Sequence, residues 1–146
     1  MRHVAGFAVL AALVLAFAGC GGGGDEEGGE SELNQQAIAA CNGSALTDTP
    51  RLPASFPQVE NVTYTKQTTQ GPTEVVEGYF EGSLEDAYEE YKKELEAADF
   101  KILFDEIEDH DSEVSWEGEG RSGQVALREE CDSDDKLYVH ITNRPA

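Results

Sequence analysis

The chain has 146 residues, of which 30 are acidic and 10 basic, giving a formal net charge of −20. Binding a phosphate backbone depends on clustered Lys and Arg, so this charge excludes nucleic acid as a partner and disfavours anionic lipid headgroups. The length left after an N-terminal signal and tether suits one ordinary domain and not two.

The first 19 residues have the three parts of a secretory signal sequence. Arg2 supplies the charged start, and the apolar core runs from Val4 to about Phe17 before two small residues. This apolar run is too short to span a bilayer. The sequence therefore predicts that residues 1–19 are removed on export.

The end of this signal, Phe17-Ala18-Gly19-Cys20, resembles the lipobox of bacterial lipoproteins. The resemblance implies that Cys20 becomes the first residue after cleavage and carries acyl chains such as palmitate on its sulfur and its amine. Phe17 stands where the family usually has leucine. Because two or more acyl chains give stable anchoring, we expect a domain tethered to the outer face of a bacterial membrane, in the cell envelope. The alternative is an ordinary secreted protein, cut at Ala18 or Gly19, with Cys20 unmodified.

Three cysteines leave one unpaired in an oxidising compartment, and lipidation of Cys20 removes the odd one. Cys41 and Cys131 are then expected to form one disulfide, which closes a loop of about 90 residues. Such a bond is typically worth about 2 to 4 kcal/mol. We interpret it as structural, because a reactive pair would need a Cys-x-x-Cys spacing or a nearby base, and the sequence has neither.

Residues 20–30 combine Cys20 with a segment of glycine and acid that has no apolar side chain, which predicts a flexible tether. A single domain is then expected over residues 31–146. Its first element is a predicted short helix from Ser31 to Cys41, with Ser31 as the cap and Gly43 past the end.

Pro50, Pro53 and Pro57 predict an extended lead-in over residues 47–57. The phrase Leu52-Pro53-Ala54-Ser55-Phe56-Pro57, followed by alternating strands and one helix, is similar to small extracytoplasmic bacterial lipoproteins of unknown function. This resemblance covers most of the domain and implies no assigned activity and no catalytic residues.

Alternating apolar residues predict six strands. Val59–Thr68 and Thr73–Glu81 are expected to form a hairpin, in which Gly78 allows a bend or a close backbone approach. The later strands are marked by Phe100, Ile102 and Phe104; by Val114 and Trp116; by Val125 and Leu127; and by Leu137, Val139 and Ile141.

Ser83–Ala98 is predicted to be the main helix, because Ser83 and Asp86 match a capping box and apolar residues recur three or four apart. Two strands, one helix and four further strands indicate an α+β fold. We predict a mostly antiparallel sheet of about six strands packed on this one main helix, plus the short N-terminal helix.

Two acidic turns are candidate calcium sites, since Ca²⁺ takes six to eight oxygen ligands. The candidate ligands are Asp109, Asp111 and Glu113 in the turn region 105–113, and Asp132 and Asp134 in the turn 132–135. The second turn is not an EF-hand, because Leu137 falls where the loop requires glycine. The alternative for both is a solvated turn that keeps the protein soluble.

No catalytic motif accompanies the histidines outside the signal, His110 and His140. We therefore expect no enzyme activity and no cofactor, with calcium as the one candidate. The prediction is a membrane-anchored binding module for an unknown envelope protein or ligand, and the alternative is a calcium-binding domain. Trp116 is expected in the core, whereas an exposed aromatic or apolar patch would favour the binding module.

Overall fold

The computed structural model describes residues 27–146, so the predicted signal sequence, Cys20 and the start of the predicted tether lie outside it. The elements follow in the order α1 (Glu27–Cys41), β1 (Val62–Gln70), β2 (Thr73–Glu81), α2 (Leu84–Ala97), β3 (Lys101–Ile107), β4 (Asp111–Gly118), β5 (Arg121–Arg128) and β6 (Lys136–Pro145).

All six strands belong to one sheet with the order β1-β2-β6-β5-β4-β3. Every neighbouring pair is antiparallel. Short turns connect β3 through β6, while α2 carries the chain from β2 to the far edge, so β1 and β3 are the two edge strands. The predicted α+β fold with a six-stranded antiparallel sheet is confirmed.

Helix α2 begins where the capping box predicted. The Ser83 hydroxyl accepts a hydrogen bond from the Asp86 backbone N–H at 3.2 Å, which satisfies one of the free donors at the helix start. The helix packs across β3, β4 and β5 and buries one apolar stripe. The buried residues of this stripe are Leu84, Ala87, Tyr91 and Leu95.

The main core lies between the sheet and α2, with the fully buried Trp116 at its centre. Phe56 and Phe100 pack edge-on against the indole at centroid distances of 5.3 and 5.4 Å. Edge-to-face aromatic pairs add about 0.5 to 1.5 kcal/mol each beyond the area they bury. The prediction that Trp116 is a core residue is confirmed, and the proline-rich lead-in supplies one of its neighbours.

The segment 45–57 also covers the outer edge of β1. The Leu46 N–H donates to the carbonyl oxygen of Tyr64 at 2.8 Å. The Arg51 N–H donates to the side chain of Gln67 at 3.0 Å. One edge of the sheet is therefore occupied by the chain itself.

Helix α1 lies on the other face of the sheet, where Ala37, Ala40 and Cys41 pack against Tyr138 of β6. A disulfide joins Cys41 to Cys131, with the two Cα atoms 5.7 Å apart. The helix begins at Glu27, four residues before the predicted start, so part of the predicted tether is helical.

Strand β1 starts at Val62 instead of Val59, because Asn61 adopts a left-handed φ of 61° that interrupts extended backbone. A bulge follows between Tyr64 and Lys66, next to the position where Tyr64 pairs with Gly78 of β2. A Cβ on Gly78 would lie 2.7 Å from the Tyr64 Cα. The close backbone approach predicted for this glycine is thus present.

Candidate functional site

Among the residues whose side chains the structure describes, residue 32 and residues 34–146, the exposed large hydrophobics all lie on β3. Leu103 is 49% exposed, Phe104 51% and Ile107 43%. These three residues are termed the β3 edge patch. A single exposed apolar residue is ordinary, but three on one edge strand mark either an interaction site or an aggregation liability.

A β-bulge determines how the patch is displayed. Ile102 lies opposite Trp116 and Phe104 lies opposite Ser115, so Leu103 is an extra residue without a partner on β4. An extra residue reverses the alternation of the side chains that follow it. The predicted alternation of Ile102 and Phe104 along one strand is therefore interrupted, because the bulge turns Phe104 to the sheet face opposite α2.

Asp105 fixes the middle of β3 against α2. Lys92 donates a hydrogen bond to its carboxylate at 2.7 Å, and the Tyr88 hydroxyl donates to the same oxygen. These two bonds, that from Lys92 first, lower the pKa of Asp105 below its ordinary value, so the carboxylate stays charged. The strand that carries the patch is thus held in place before any partner binds.

The two edge strands of the sheet, β1 and β3, differ in whether another segment lies along them. Segment 45–57 lies along β1, whereas no other segment of residues 27–146 pairs with the outer side of β3. The free edge carries alternating N–H and C=O groups that are open to an added strand. The β3 edge patch and these backbone groups occupy the same seven residues.

The surroundings of the patch are negatively charged. Glu106 on β3 lies directly opposite Glu113 on β4, and like charges in this position repel each other. Gln124 donates to the Glu113 carboxylate at 2.7 Å, which satisfies one acceptor without supplying charge. A cationic group beside β3 would therefore relieve a repulsion built into the sheet.

A second acidic surface lies beside the N-terminal half of α2, in a cavity of about 730 Å³. Its acidic lining residues are Glu60, Glu81, Asp86, Glu89, Glu90 and Glu94. The one basic residue in its lining, Lys93, is already paired with Glu94 at 3.0 Å. This cavity, termed the acidic groove, carries a strong negative charge that disfavours anionic ligands.

The turn region predicted over residues 105–113 is mostly strand. Residues 105–107 belong to β3 and 111–113 to β4, so only 108–110 form the turn. Strand pairing sends alternate carboxylates to opposite faces: Asp105 contacts α2, while Glu113 is hydrogen-bonded to Gln124 on the other face. Side chains on opposite faces cannot converge on one ion.

The predicted calcium ligands lie at one end of the sheet. Asp109 is in the β3–β4 turn and Asp111 and Glu113 are on β4, while Asp132 and Asp134 are in the β5–β6 loop. The β3–β4 turn contacts the start of the β5–β6 loop, where the Glu129 N–H donates to the carbonyl oxygen of His110 at 3.0 Å. Within residues 27–146, however, no set of three or more His, Cys, Asp and Glu side chains is placed to hold a metal ion.

The two histidines have opposite environments. His110 is exposed, and its Nδ1 lies 2.8 Å from a carboxylate oxygen of Glu129, which raises the pKa of His110. His140 lies on β6 opposite Glu77, and burial lowers its pKa. The Glu129 carboxylate thus favours the charged form of His110, and burial favours the neutral form of His140.

A buried polar cluster lies on the face that α1 packs against. Glu77 is fully buried, and the Tyr138 hydroxyl donates to its carboxylate at 2.6 Å. Lys66 forms an ion pair with the other oxygen at 2.9 Å, and His140 is the cross-strand neighbour. Burial, and then the bond to Glu77, raise the pKa of Tyr138 far above its ordinary value. These four residues are termed the Glu77 cluster.

Neither the patch nor the cluster was identified from the sequence. The signal for the patch was the unbroken apolar run Ile102-Leu103-Phe104. A strand with one buried face alternates apolar and polar residues, so three consecutive apolar residues place at least one apolar side chain on the other face. The signal for the cluster was Glu77 between apolar residues of a strand. Its partners Tyr138 and His140 come from β6, a strand that sequence spacing does not relate to β2.

No protein-family model matches this chain, and no curated protein matches it. None of the helices formed by residues 27–146 is both long enough and apolar enough to cross a membrane.

Proposed function

We propose that the protein is a lipid-anchored, extracytoplasmic binding module of a bacterial cell envelope and not an enzyme. The lipobox resemblance around Cys20 supports the anchor, and the acidic composition supports a partner other than nucleic acid. Replacing Cys20 by Ala should move the protein from the membrane to the soluble fraction on ultracentrifugation. Retention of the variant on membranes would contradict the anchor.

In this proposal residues 31–146 form one domain, in which α2 is the main helix packed on the sheet. Helix α1 is the short N-terminal helix, and the disulfide between Cys41 and Cys131 secures it. The anchor and tether keep this domain close to the membrane, and the sheet edge remains available to a partner.

The β3 edge patch is the observation that carries the binding function. Leu103, Phe104 and Ile107 leave apolar area exposed on a strand that α2 holds rigid through Asp105. Burying such area against a partner is favourable by about 25 cal/mol for each Å² removed from water. The proposed partner is an envelope protein or ligand that covers this patch.

Site-specific photo-crosslinking in cells tests this function. A photoreactive phenylalanine analogue at position 104 should give one discrete adduct, while the same analogue at the exposed position 85 on α2 should not. The adduct should weaken with Ile107→Ser and persist with the remote control Ala54→Ser. Equal labelling from positions 104 and 85, or an adduct indifferent to Ile107→Ser, would contradict docking at the patch.

Calcium binding is the second candidate, favoured by the contact of His110 in the β3–β4 turn with Glu129 at the start of the acidic β5–β6 loop. The full-length protein should then melt higher in millimolar Ca²⁺ than in chelator or Mg²⁺. A site filled to about a hundred times its Kd adds about 2.7 kcal/mol, a rise on the order of 10 °C. Asp109→Asn with Asp132→Asn should remove the shift. Equal small shifts with both ions would indicate charge screening alone.

A further inference from the structure

We infer that the partner at the β3 edge patch is an extended, cationic polypeptide segment that adds to β3 as a seventh strand. This inference rests on the proposed binding function, and it specifies how the partner binds and what its chemistry is. Free backbone groups, apolar side chains on both faces and uncompensated negative charge coincide on this one strand.

The backbone of β3 is the first part of the argument. One side of the strand is paired with β4 along its length, and the other side is free within the part of the chain that the structure describes. An extended segment would satisfy those free N–H and C=O groups through main-chain hydrogen bonds. The chain covers its other edge, at β1, with Leu46 and Arg51, so the two edges are treated differently.

The side chains are the second part. Leu103 and Phe104 point to the sheet face opposite α2, whereas Ile107 lies opposite Ser112 on the α2 side. A strand sends alternate side chains to the two faces. A seventh strand would therefore contact Phe104 on one face, through the methylene stems of its basic side chains, and Ile107 on the other, through its apolar side chains, and both retain about half of their area for such a contact.

Charge selects among extended partners. Glu106 and Glu113 repel each other across β3 and β4, and the chain as a whole carries a formal charge of −20. Lysine or arginine side chains on the added strand would offset this repulsion and speed association at low salt. A second copy of this chain would bring two acidic edges together, which disfavours a dimer through β3.

The bulge sets the register of the added strand. Irregular pairing at Leu103 interrupts the edge, and bulges of this kind discourage indiscriminate strand pairing. The regular part of the edge is Phe104 to Ile107, next to the Asp105 anchor on α2. The expected partner therefore pairs mainly over these four residues and has basic side chains at alternate positions.

Synthetic peptides provide the probe for the full-length protein in mild detergent. The test peptide alternates lysine and valine over seven residues. A second peptide has the same side chains but carries methyl groups on its central backbone nitrogens, which removes hydrogen-bond donors and keeps the charge. A third replaces lysine with glutamate. Binding is measured by fluorescence anisotropy, and the site by hydrogen–deuterium exchange.

The lysine–valine peptide should bind, lose affinity as salt increases, and slow exchange in β3 but not in β1. The methylated and the glutamate peptides should bind at least about tenfold more weakly. Phe104→Ser and Ile107→Ser should each weaken binding about fivefold, the loss expected when half a large apolar side chain is no longer buried. Ala54→Ser should leave it unchanged.

Three results would overturn the inference. Equal binding of the methylated peptide, with protection over residues 84–97 instead of β3, would place a cationic ligand in the acidic groove. No binding of any peptide, together with a patch-dependent adduct at position 104, would leave the binding module intact and refute strand addition. Self-association in sedimentation experiments that Phe104→Ser abolishes would make a second copy the occupant.

Discussion

Replacing Tyr138 by Phe isolates one hydrogen bond of the Glu77 cluster. The substitution keeps the ring that packs against α1 and removes the hydroxyl that donates to the buried Glu77 carboxylate at 2.6 Å. A hydrogen bond to a charged group contributes about 1.5 to 3 kcal/mol, and no water replaces it at a fully buried oxygen. We expect this loss in the free energy of unfolding, or a fall in Tm of roughly 5 to 15 °C.

The Lys66 partner provides a second perturbation of the same carboxylate. Its ammonium lies 2.9 Å from Glu77, but its side chain is 43% exposed, so water screens part of the attraction. Removing one member of a fully buried ion pair costs about 3 to 5 kcal/mol, and the exposure reduces the expected cost of Lys66→Met to about 1 to 3.

Urea denaturation of the two single variants and the double variant measures whether the cluster acts as a unit. Groups that share one carboxylate should be coupled by at least about 0.5 kcal/mol. Tyr79→Phe is the matched control: Tyr79 faces the same side of the sheet, and within residues 27–146 its hydroxyl forms no hydrogen bond. A Tyr138→Phe cost no larger than that of Tyr79→Phe would refute the reasoning.

Three further predictions concern stability in the full-length protein. Burial lowers the pKa of His140 from 6.5, so the unfolded chain binds more protons and stability should fall as pH drops through about 6.5. His140→Gln should flatten that slope in urea titrations at several pH values. Gly123→Ala should cost about 1 to 3 kcal/mol in urea, because its Cβ would overlap the Thr142 carbonyl oxygen. Replacing Cys41 and Cys131 by Ala should lower the free energy of unfolding by about 2 to 4 kcal/mol. Reducing the disulfide in the protein without these substitutions should lower it by the same amount.

Local signals explain why much of the fold could be predicted. The Ser83 cap, the helical spacing of apolar residues after it, and the turn at Gln70-Gly71-Pro72 each act within a few residues. Strand β2 has the predicted bounds, Thr73–Glu81, because its turn and its alternation are both local. The number of strands and the absence of a second intervening helix then specify an antiparallel sheet.

Features that depend on distant residues could not be predicted. The bulge at Leu103 depends on how β3 fits against β4, and no residue type indicates it, so the interruption between Ile102 and Phe104 could not be predicted. The Glu77 cluster joins residues 61 positions apart, Glu77 and Tyr138. Strand order decides such contacts, and alternation within one strand contains no information about which strand lies beside it.

The disulfide also determines how the protein responds to mechanical tension. A pull on the N-terminal end of α1 reaches Cys41 and passes through the covalent bond to Cys131, 90 positions along the chain. When the opposing pull acts at the C-terminus, the disulfide keeps the residues between them, which include β1 to β5 and α2, from being drawn out between the two ends. Such a pull can extend only α1 and the last 15 residues of the sequence, so among the described strands it acts directly on β6, which lies between β2 and β5 in the middle of the sheet.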